Sequence, residues 1–426
     1  MHKQLFHFGR HTVLILLETL AVLILLCSLA GGALLWRLTT GPLDVSFARE
    51  HIARALSDPT TGHTVTADGV LLAWPDLKGP LILTLEKLAI ARDDRPVLQI
   101  DRVDLGLAGP PLFLGQVEPS DIILTQPVLR LIRDPNGAIR LGMEGEQLPP
   151  GAVEDSPDSQ GPLMRIVRRL AQDRGTIDKR SPLDHLQSLE IKDARMTVED
   201  QVLNTTWSLP DLDVLFARNP GGLLMTAALS LPGGDNNAAE IRADVLYVRD
   251  RDDFTARLHL QDFDPHILSS KIPTLAWMED QRIVLNGDVS ATVDADMKLT
   301  KLDVALFSGA GALSLPGLYE APLAIEETSL EAAYDAETEK LAIESLNVTL
   351  QDVTLTLAGE GKVAPDDIRF PMTIAVKDLP QAKIVSLWPD SLRGIPVEDW
   401  LTRRLSGGRF TEATLRFDLA VTKEPG

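Results

Sequence analysis

The 426-residue chain is long enough for several domains or for one elongated, repetitive architecture, because a single hydrophobic core stops growing below this length. Its net charge of -20 argues against binding a phosphate backbone, so we expect no nucleic-acid partner. The single cysteine, Cys27, lies in an N-terminal apolar run, which excludes disulfide, thiolate and zinc-thiolate chemistry elsewhere. Hydrophobic residues make up 44% of the chain but aromatic residues only 5%, which predicts an aliphatic interior.

The first predicted element is a membrane anchor that runs from Val13 through Leu26 to Trp36. At ~1.5 Å per residue, a helix of this length crosses a hydrocarbon core of ~30 Å. Glu18 is the only charged residue of this run. The free energy that inserting its carboxylate into the membrane costs is smaller than the free energy gained by inserting the surrounding Leu, Ile and Val residues.

The charges that flank the apolar run predict its orientation. Lys3 and Arg10 precede it without an acidic residue, so residues 1–12 are expected in the cytoplasm and the bulk of the chain outside it. A signal peptide cleaved after the small residues near Ala30 is the alternative. The apolar run continues to Trp36 and is longer than an ordinary signal sequence, which favours an uncleaved anchor.

The remaining chain is predicted to contain an N-terminal module at 37–142, an acidic Pro- and Gly-rich linker at 143–160, and a long β domain at 161–426. Within the first module, the spacing of apolar residues predicts an amphipathic helix from Pro42 to Leu56. Further helices are few and short.

From about residue 80 onward, apolar residues alternate with polar ones at a period of two, which is typical of strands with one apolar face. Turn sequences such as 219–222 (NPGG) separate the runs. The fold class predicted is therefore mainly β: an elongated, curled antiparallel sheet that follows the transmembrane helix and forms an apolar groove. The residues predicted to line this groove are Leu229, Leu231, Ala256, Leu258, Leu260, Val289, Val293, Val304, Leu306, Leu330, Val348, Leu350, Leu355, Leu357, Ile374, Val376, Phe417 and Leu419.

An apolar sheet face has three ways of leaving water: the sheet folds onto itself, helices cover it, or it holds an apolar ligand. The predicted helices are too few to cover the sheet. Roughly twenty strands at ~4.8 Å spacing would also make it too long for one compact sandwich. A groove lined with lipid is therefore the favoured arrangement.

A series of short motifs spans nearly the whole chain. The motifs are 62–65 (GHTV), 71–75 (LLAWP), 88–90 (LAI), 111–117 (PLFLGQV), 122–131 (IILTQPVLRL), 134–137 (DPNG), 207–214 (WSLPDLDV), 286–289 (NGDV), 309–316 (GAGALSLP), 387–389 (LWP), Trp400, Arg404 and 407–410 (GGRF). Each is short, but in this order they resemble the AsmA-like proteins of Gram-negative envelopes, closest to the YhdP branch and more distantly TamB.

The resemblance implies a bridge-like lipid-transfer protein that is anchored in the inner membrane, has its bulk in the periplasm, and carries glycerophospholipids towards the outer membrane. Members of the family are usually longer, so reaching a second membrane would require either a distal outer-membrane or periplasmic partner or distal residues that this chain lacks. The alternative function is a structural or chaperone-like factor that assists assembly of outer-membrane proteins by strand addition.

No motif predicts catalysis, a cofactor or a metal site. His7 and His11 are four residues apart but lack the glutamate of a zinc-protease helix. The segment 294–298 resembles a calcium loop but lacks its glycine and its final glutamate. We therefore expect no enzymatic activity.

Overall fold

The computed structural model describes residues 3–50, 63–92, 95–107, 119–135, 139–143, 170, 185–232, 238–251, 253–269, 273–294, 298–363, 367–405 and 407–422. The chain forms two compact units. The first comprises residues 1–127, 143–150 and 174–190, and the second comprises 128–142, 151–173 and 191–426. The predicted linker, from residue 144 onward, lies outside the described residues.

The chain is mainly β, with one long N-terminal helix and few others, as predicted. The helices are α1 (Lys3–Thr40), α2 (His266–Ser269), α3 (Gln381–Leu387) and α4 (Pro396–Asp399), together with 3-10 turns at Ser46–Ala48, Pro273–Met278 and Asp390–Leu392 and a π turn at Trp400–Arg404.

The strands of the first half are β1 (Leu43–Asp44), β2 (His63–Thr66), β3 (Gly69–Ala73), β4 (Leu81–Arg92), β5 (Arg95–Leu107), β6 (Pro119–Thr125), β7 (Val128–Arg133), β8 (Ile139–Met143), β9 (Ser188–Asp200), β10 (Thr205–Asn219) and β11 (Gly222–Pro232). The strands of the second half are β12 (Ala238–Val248), β13 (Asp253–Phe263), β14 (Leu285–Val293), β15 (Leu299–Ser308), β16 (Gly311–Leu313), β17 (Leu323–Ile325), β18 (Glu327–Asp335), β19 (Lys340–Leu350), β20 (Val353–Val363), β21 (Asp367–Pro380) and β22 (Arg409–Thr422).

Helix α1 is longer than the predicted anchor at both ends. Its segment Leu20–Thr40 has a mean hydropathy of 2.0 and is the one helix in the described part of the chain that is long and apolar enough to cross a membrane. Val13 lies within the helix, and the side chains of Leu26 and Trp36 are 59% and 70% exposed. Exposed apolar side chains on an unpacked helix are what a lipid-facing anchor requires.

The end of α1 is joined to the sheet of the first unit. The backbone N–H of Trp74 donates to the carbonyl of Leu38 at 2.9 Å, and the Leu38 side chain is buried. The bond to Leu38 satisfies one of the carbonyl groups that a helix end leaves unpaired. Arg37 donates to the carbonyls of Gly41 and Pro42, just beyond the helix, at 3.1 and 3.3 Å.

The predicted amphipathic helix from Pro42 to Leu56 is wrong at its start. Leu43 and Asp44 instead form β1, paired with Leu72 and Leu71 of β3. Strand pairing competes successfully with helix propensity here, and Asp44 fixes the turn by accepting the backbone N–H of Ser46 at 2.8 Å. The chain becomes helical at 49–50, and residues 51–62 lie outside the description.

The sheet of the first unit is antiparallel, with β1, β3, β4, β5 and β6 as successive neighbours and β2 paired to β4. Its apolar residues align across the strands, for example Val70 with Leu85 and Leu85 with Val103. All three side chains are at most 4% exposed. This face therefore forms an ordinary hydrophobic core.

In the second unit, β10 to β15 and then β18 to β22 pair antiparallel in chain order. Among the described strands, β22 pairs with β21 alone, so this ladder is not closed into a barrel. One pairing departs from the predicted antiparallel pattern, because β7 and β9 run parallel. The β13–β14 register shifts between Leu260 and Phe263, where Asp262 has a positive φ, and such a bulge bends and twists a strand.

Candidate functional site: the apolar face of the second unit

The strand register places the apolar residues of β10 to β22 on one side of the sheet, which is called the apolar face below. They form three continuous rows that cross the strands. The first row is Leu212, Leu229, Ile241, Leu260, Gly287, Leu306, Leu330, Leu346, Leu357, Ile374 and Leu415. The second row is Val214, Ala227, Ala243, Leu258, Val289, Val304, Ala332, Ile343, Gly359, Met372 and Phe417. The third row is Phe216, Met225, Val245, Ala256, Ala291, Leu302, Tyr334, Leu341 and Gly361.

Every residue predicted to line the groove lies on the apolar face. Most belong to one of the three rows, and the others belong to shorter runs of register partners on the same face. Val348, Leu355 and Val376 form a further run of register partners, as do Leu350 and Val353. Leu231 pairs with Ala239, Val293 with Phe254, and Leu419 with Phe370. The structure therefore brings together on one face all the residues that the alternation selected.

Sequence reasoning missed several members of the same face. Ile241, Ala243 and Val245 of β12 and Val214 and Phe216 of β10 complete the rows. Their period-two alternation is as regular as that of the predicted strands and could have identified them.

The side chains of the apolar face are mostly half-buried. Leu258, Val304, Leu330 and Leu357 are all in this intermediate state, and Leu415 at the β22 edge is 61% exposed. No stretch of the three rows that the structure describes is buried along its whole length, as the core of the first unit is. Such a large half-exposed apolar surface indicates an interaction site.

The opposite face of the same strands is polar. Thr226 donates to Asp244 at 3.0 Å, and Lys340 and Glu360 form an ion pair at 2.8 Å. His259 and Asp288 lie side by side at 3.0 Å, and both side chains are about half exposed. One face of the sheet is thus suited to contact with water, and the other to contact with apolar groups.

The two ends of the strands differ. At one end, the turn rim, the connections are short, as at 220–221 and 336–339. At the other end, the connection rim, the chain makes the long excursions 264–284, 309–326 and 381–408. Beside this second rim, Ala239, Leu260 and Phe263 of the apolar face form a buried cluster. Helix α3 contacts β21 there and buries Ile384, and Leu350, Val353 and Val376 are buried at the same end. Phe370, near the turn rim, is also buried.

Hydrogen bonds join the three excursions of the connection rim. The Gln281 side chain is buried, donates to the Ser314 carbonyl at 2.8 Å and accepts its N–H at 2.9 Å. The Tyr319 hydroxyl donates to the Leu387 carbonyl at 2.7 Å, and burial raises the pKa of this phenol. The backbone N–H of Glu320 donates to Asp390 at 2.9 Å. The rim is therefore one bonded structure rather than three independent loops.

Within the described residues, no group of three or more His, Cys, Asp or Glu side chains could hold a metal ion. In the acidic segment at 294–298, Asp294 accepts the backbone N–H of Lys298 at 2.9 Å. The apolar face is the site with the most distinctive chemistry.

No protein-family model, no curated protein and no solved structure matches this chain.

Proposed function

We propose that the chain is a membrane-anchored lipid-transfer protein in which the apolar face of the second unit holds the acyl chains of glycerophospholipids. The observation that carries the proposal is the set of apolar rows, two of which continue from β10 to β22 and the third from β10 to β20, and whose side chains are mostly half-buried. An acyl chain laid along the rows would remove both its own surface and theirs from water, at about 25 cal/mol per Å².

The uniformity of the lining suits movement along it. Of the 31 residues in the three rows, 25 are Leu, Ile, Val, Ala or Met, which offer no directional bonds, and the others are three Gly, two Phe and one Tyr. The binding free energy is then similar at each strand, so a lipid can shift from one strand to the next without a deep trap.

The proposal extends to the setting of the protein. The α1 anchor lies in the inner membrane, the bulk of the chain lies in the periplasm, and lipids move towards the outer membrane. The resemblance to AsmA-like proteins and the charges around α1 support this setting. A distal partner at the outer membrane belongs to the same proposal.

The test is the lipid content and transfer activity of the full chain. Mass spectrometry of the purified protein is expected to find bound phospholipid, and vesicle assays are expected to show transfer of fluorescent phospholipid. Val304→Asp combined with Met372→Asp places charges in the second row and should reduce both signals at least about tenfold, because a carboxylate in contact with acyl chains must be desolvated. Leu258 and Leu260 are unsuitable for this purpose because Leu260 belongs to the buried cluster and Leu258 packs against it.

Absence of bound lipid together with unchanged transfer by the double variant would contradict the proposal. The chaperone-like alternative would then gain support, and binding of unfolded outer-membrane proteins to the β22 edge would be the next measurement.

A further inference from the structure

The six tryptophans of the chain fall into two groups of three. Trp74, Trp207 and Trp388 are half-buried, and each indole N–H donates a hydrogen bond, to the Gly79 carbonyl, the Thr205 hydroxyl and the Leu392 carbonyl respectively, at 3.0 to 3.1 Å. These three rings are fixed within the fold.

The second group behaves differently. Trp36, Trp277 and Trp400 are 70%, 64% and 51% exposed, and their indole N–H groups donate to no residue that the structure describes. Trp36 lies in the segment of α1 that is apolar enough to cross a membrane. A ring with an apolar body and a free polar N–H suits the bilayer interface, where one part meets acyl chains and the other meets water.

Trp277 and Trp400 both lie on the connection rim of the second unit, far from the anchor in sequence. Other large apolar residues of this rim are also exposed: Leu318, Leu392, Ile395 and Val397 are between 38% and 55% exposed. In the described part of the turn rim, Leu299 at the start of β15 is the one comparable residue, at 39%. The exposed apolar surface is therefore concentrated at one end of the strands.

The charges beside Trp400 favour an anionic partner. The segment 388–409 carries four arginines against three carboxylates, whereas the excursion 264–284 has two basic residues against three carboxylates and 309–326 has two carboxylates and no basic residue. Contact with anionic headgroups is therefore expected at the Trp400 part of the rim. The side chains of Arg393, Arg403 and Arg404 are 66%, 81% and 74% exposed. Their ion pairs with Asp390 and Asp399 lie at the surface, where such pairs contribute little, so the guanidinium groups can exchange them for phosphates.

We propose that the connection rim is a membrane-docking surface, which inserts Trp277, Trp400 and their apolar neighbours into the interface of a bilayer that contains anionic phospholipids. Exposed tryptophan and aliphatic side chains supply the apolar contact, and arginines supply the headgroup contact. The hydrogen bonds that join the excursions hold this surface in one piece, so docking needs no refolding. Docking is independent of whether the apolar face holds lipid.

The test uses the full chain, reconstituted through α1 into nanodiscs of phosphatidylcholine. Flotation then measures binding of these nanodiscs to vesicles made of equal parts phosphatidylcholine and phosphatidylglycerol. The parent should float with these vesicles and bind pure phosphatidylcholine vesicles more weakly. Trp277→Ser with Trp400→Ser should weaken binding at least about tenfold, since interfacial affinity scales with buried apolar area.

Three controls make the result interpretable. Leu299→Ser removes the exposed apolar residue of the turn rim and should leave binding unchanged. Arg393→Gln, Arg403→Gln and Arg404→Gln together should remove the preference for the anionic vesicles while retaining residual binding. Circular dichroism and thermal unfolding check that each variant keeps the parent fold.

Equal flotation of the parent and the double Trp variant would overturn the proposal, as would a parent that binds neither kind of vesicle. If the parent self-associates through the rim instead, size-exclusion chromatography will show an oligomer that the double Trp variant loses, and the rim is then a protein interface. Loss of lipid transfer with intact flotation would count against the lipid-transfer function alone.

Discussion

Both units have strands in which aliphatic residues alternate with polar ones, but the aliphatic side chains are buried to different degrees. In the first unit, Val70, Leu85 and Val103 align across neighbouring strands and are at most 4% exposed. In the second unit, Leu258, Val289 and Val304 align in the same way and stay half-buried. Alternation therefore determines which face of a strand is apolar, whereas burial depends on what covers that face.

The largest expected effect follows from this contrast in burial. Leu85→Ala, at a position 1% exposed, should lower the stability of the first unit by about 3 kcal/mol, because it removes buried methyl groups and leaves a cavity. Leu357→Ala on the apolar face should cost only about 1 kcal/mol, because its side chain already meets solvent in part. Urea unfolding of the full chain measures both values. Equal losses would mean that the two faces are equally packed.

The next effect concerns the backbone of the apolar face. Gly287 is the one residue of the first row without a side chain, and its φ is +127°. A Cβ at this position would lie 2.1 Å from the Ala305 carbonyl oxygen. Gly287→Ala should therefore destabilise the second unit by about 2 kcal/mol. Gly309→Ala is the matched control, since nothing lies within 4 Å of its Cβ position. Thermal unfolding of both variants tests the difference, and a neutral Gly287→Ala would refute the strained geometry.

A one-residue shift separates the two faces of the second unit. Ala332 lies on the apolar face and pairs with Val304, whereas Ala333 lies on the polar face and pairs with Asp303. Ala332→Asp should slow phospholipid transfer about fivefold, because the carboxylate interrupts the second row. Ala333→Asp should leave transfer within about twofold despite the neighbouring carboxylate. If both variants transfer lipid equally, the face has no role in transfer.

The smallest effect concerns an ion pair rather than the core. Two nitrogens of Arg130 donate to the two oxygens of Glu199, each at 2.8 Å, and this lowers the pKa of Glu199 below its ordinary 4.5. Glu199→Gln should cost about 1 kcal/mol at neutral pH. A lowered pKa stabilises the fold above the unfolded-state pKa, and this contribution is lost as the pH falls through the folded-state pKa. The stability gap between parent and variant should therefore close in acid, and a constant gap would exclude the ion pair as its cause.

Much of the fold could be predicted from the sequence. The apolar length of α1 and the alternation in the strands are local signals, and they predicted the helix, the mainly β class and the shared face of the groove residues. No local signal distinguishes Leu85 from Leu258, since burial depends on which distant segment packs over each residue.

The incorrect predictions have the same origin. Leu43 and Asp44 carry a helical pattern but pair with β3, a contact that only the tertiary fold supplies. The parallel pairing of β7 with β9 joins residues that are 67 positions apart along the chain, such as Val128 and Arg195, and strand patterns do not specify such partners. The exposed apolar surface of the connection rim was not predicted either, because Trp277 and Trp400 lie in short turns without a regular period.

The most direct test of lipid binding is photocrosslinking at neighbouring positions on the two faces. A benzoylphenylalanine placed at Val304, on the apolar face, should form a covalent adduct with phospholipid in cells, because that side chain would lie against acyl chains. The same group at Ala305, on the polar face, should form none. Phospholipid adducts at Val304 but not at Ala305 are the predicted result, and equal labelling of both positions, or of neither, would contradict a lipid-filled apolar face.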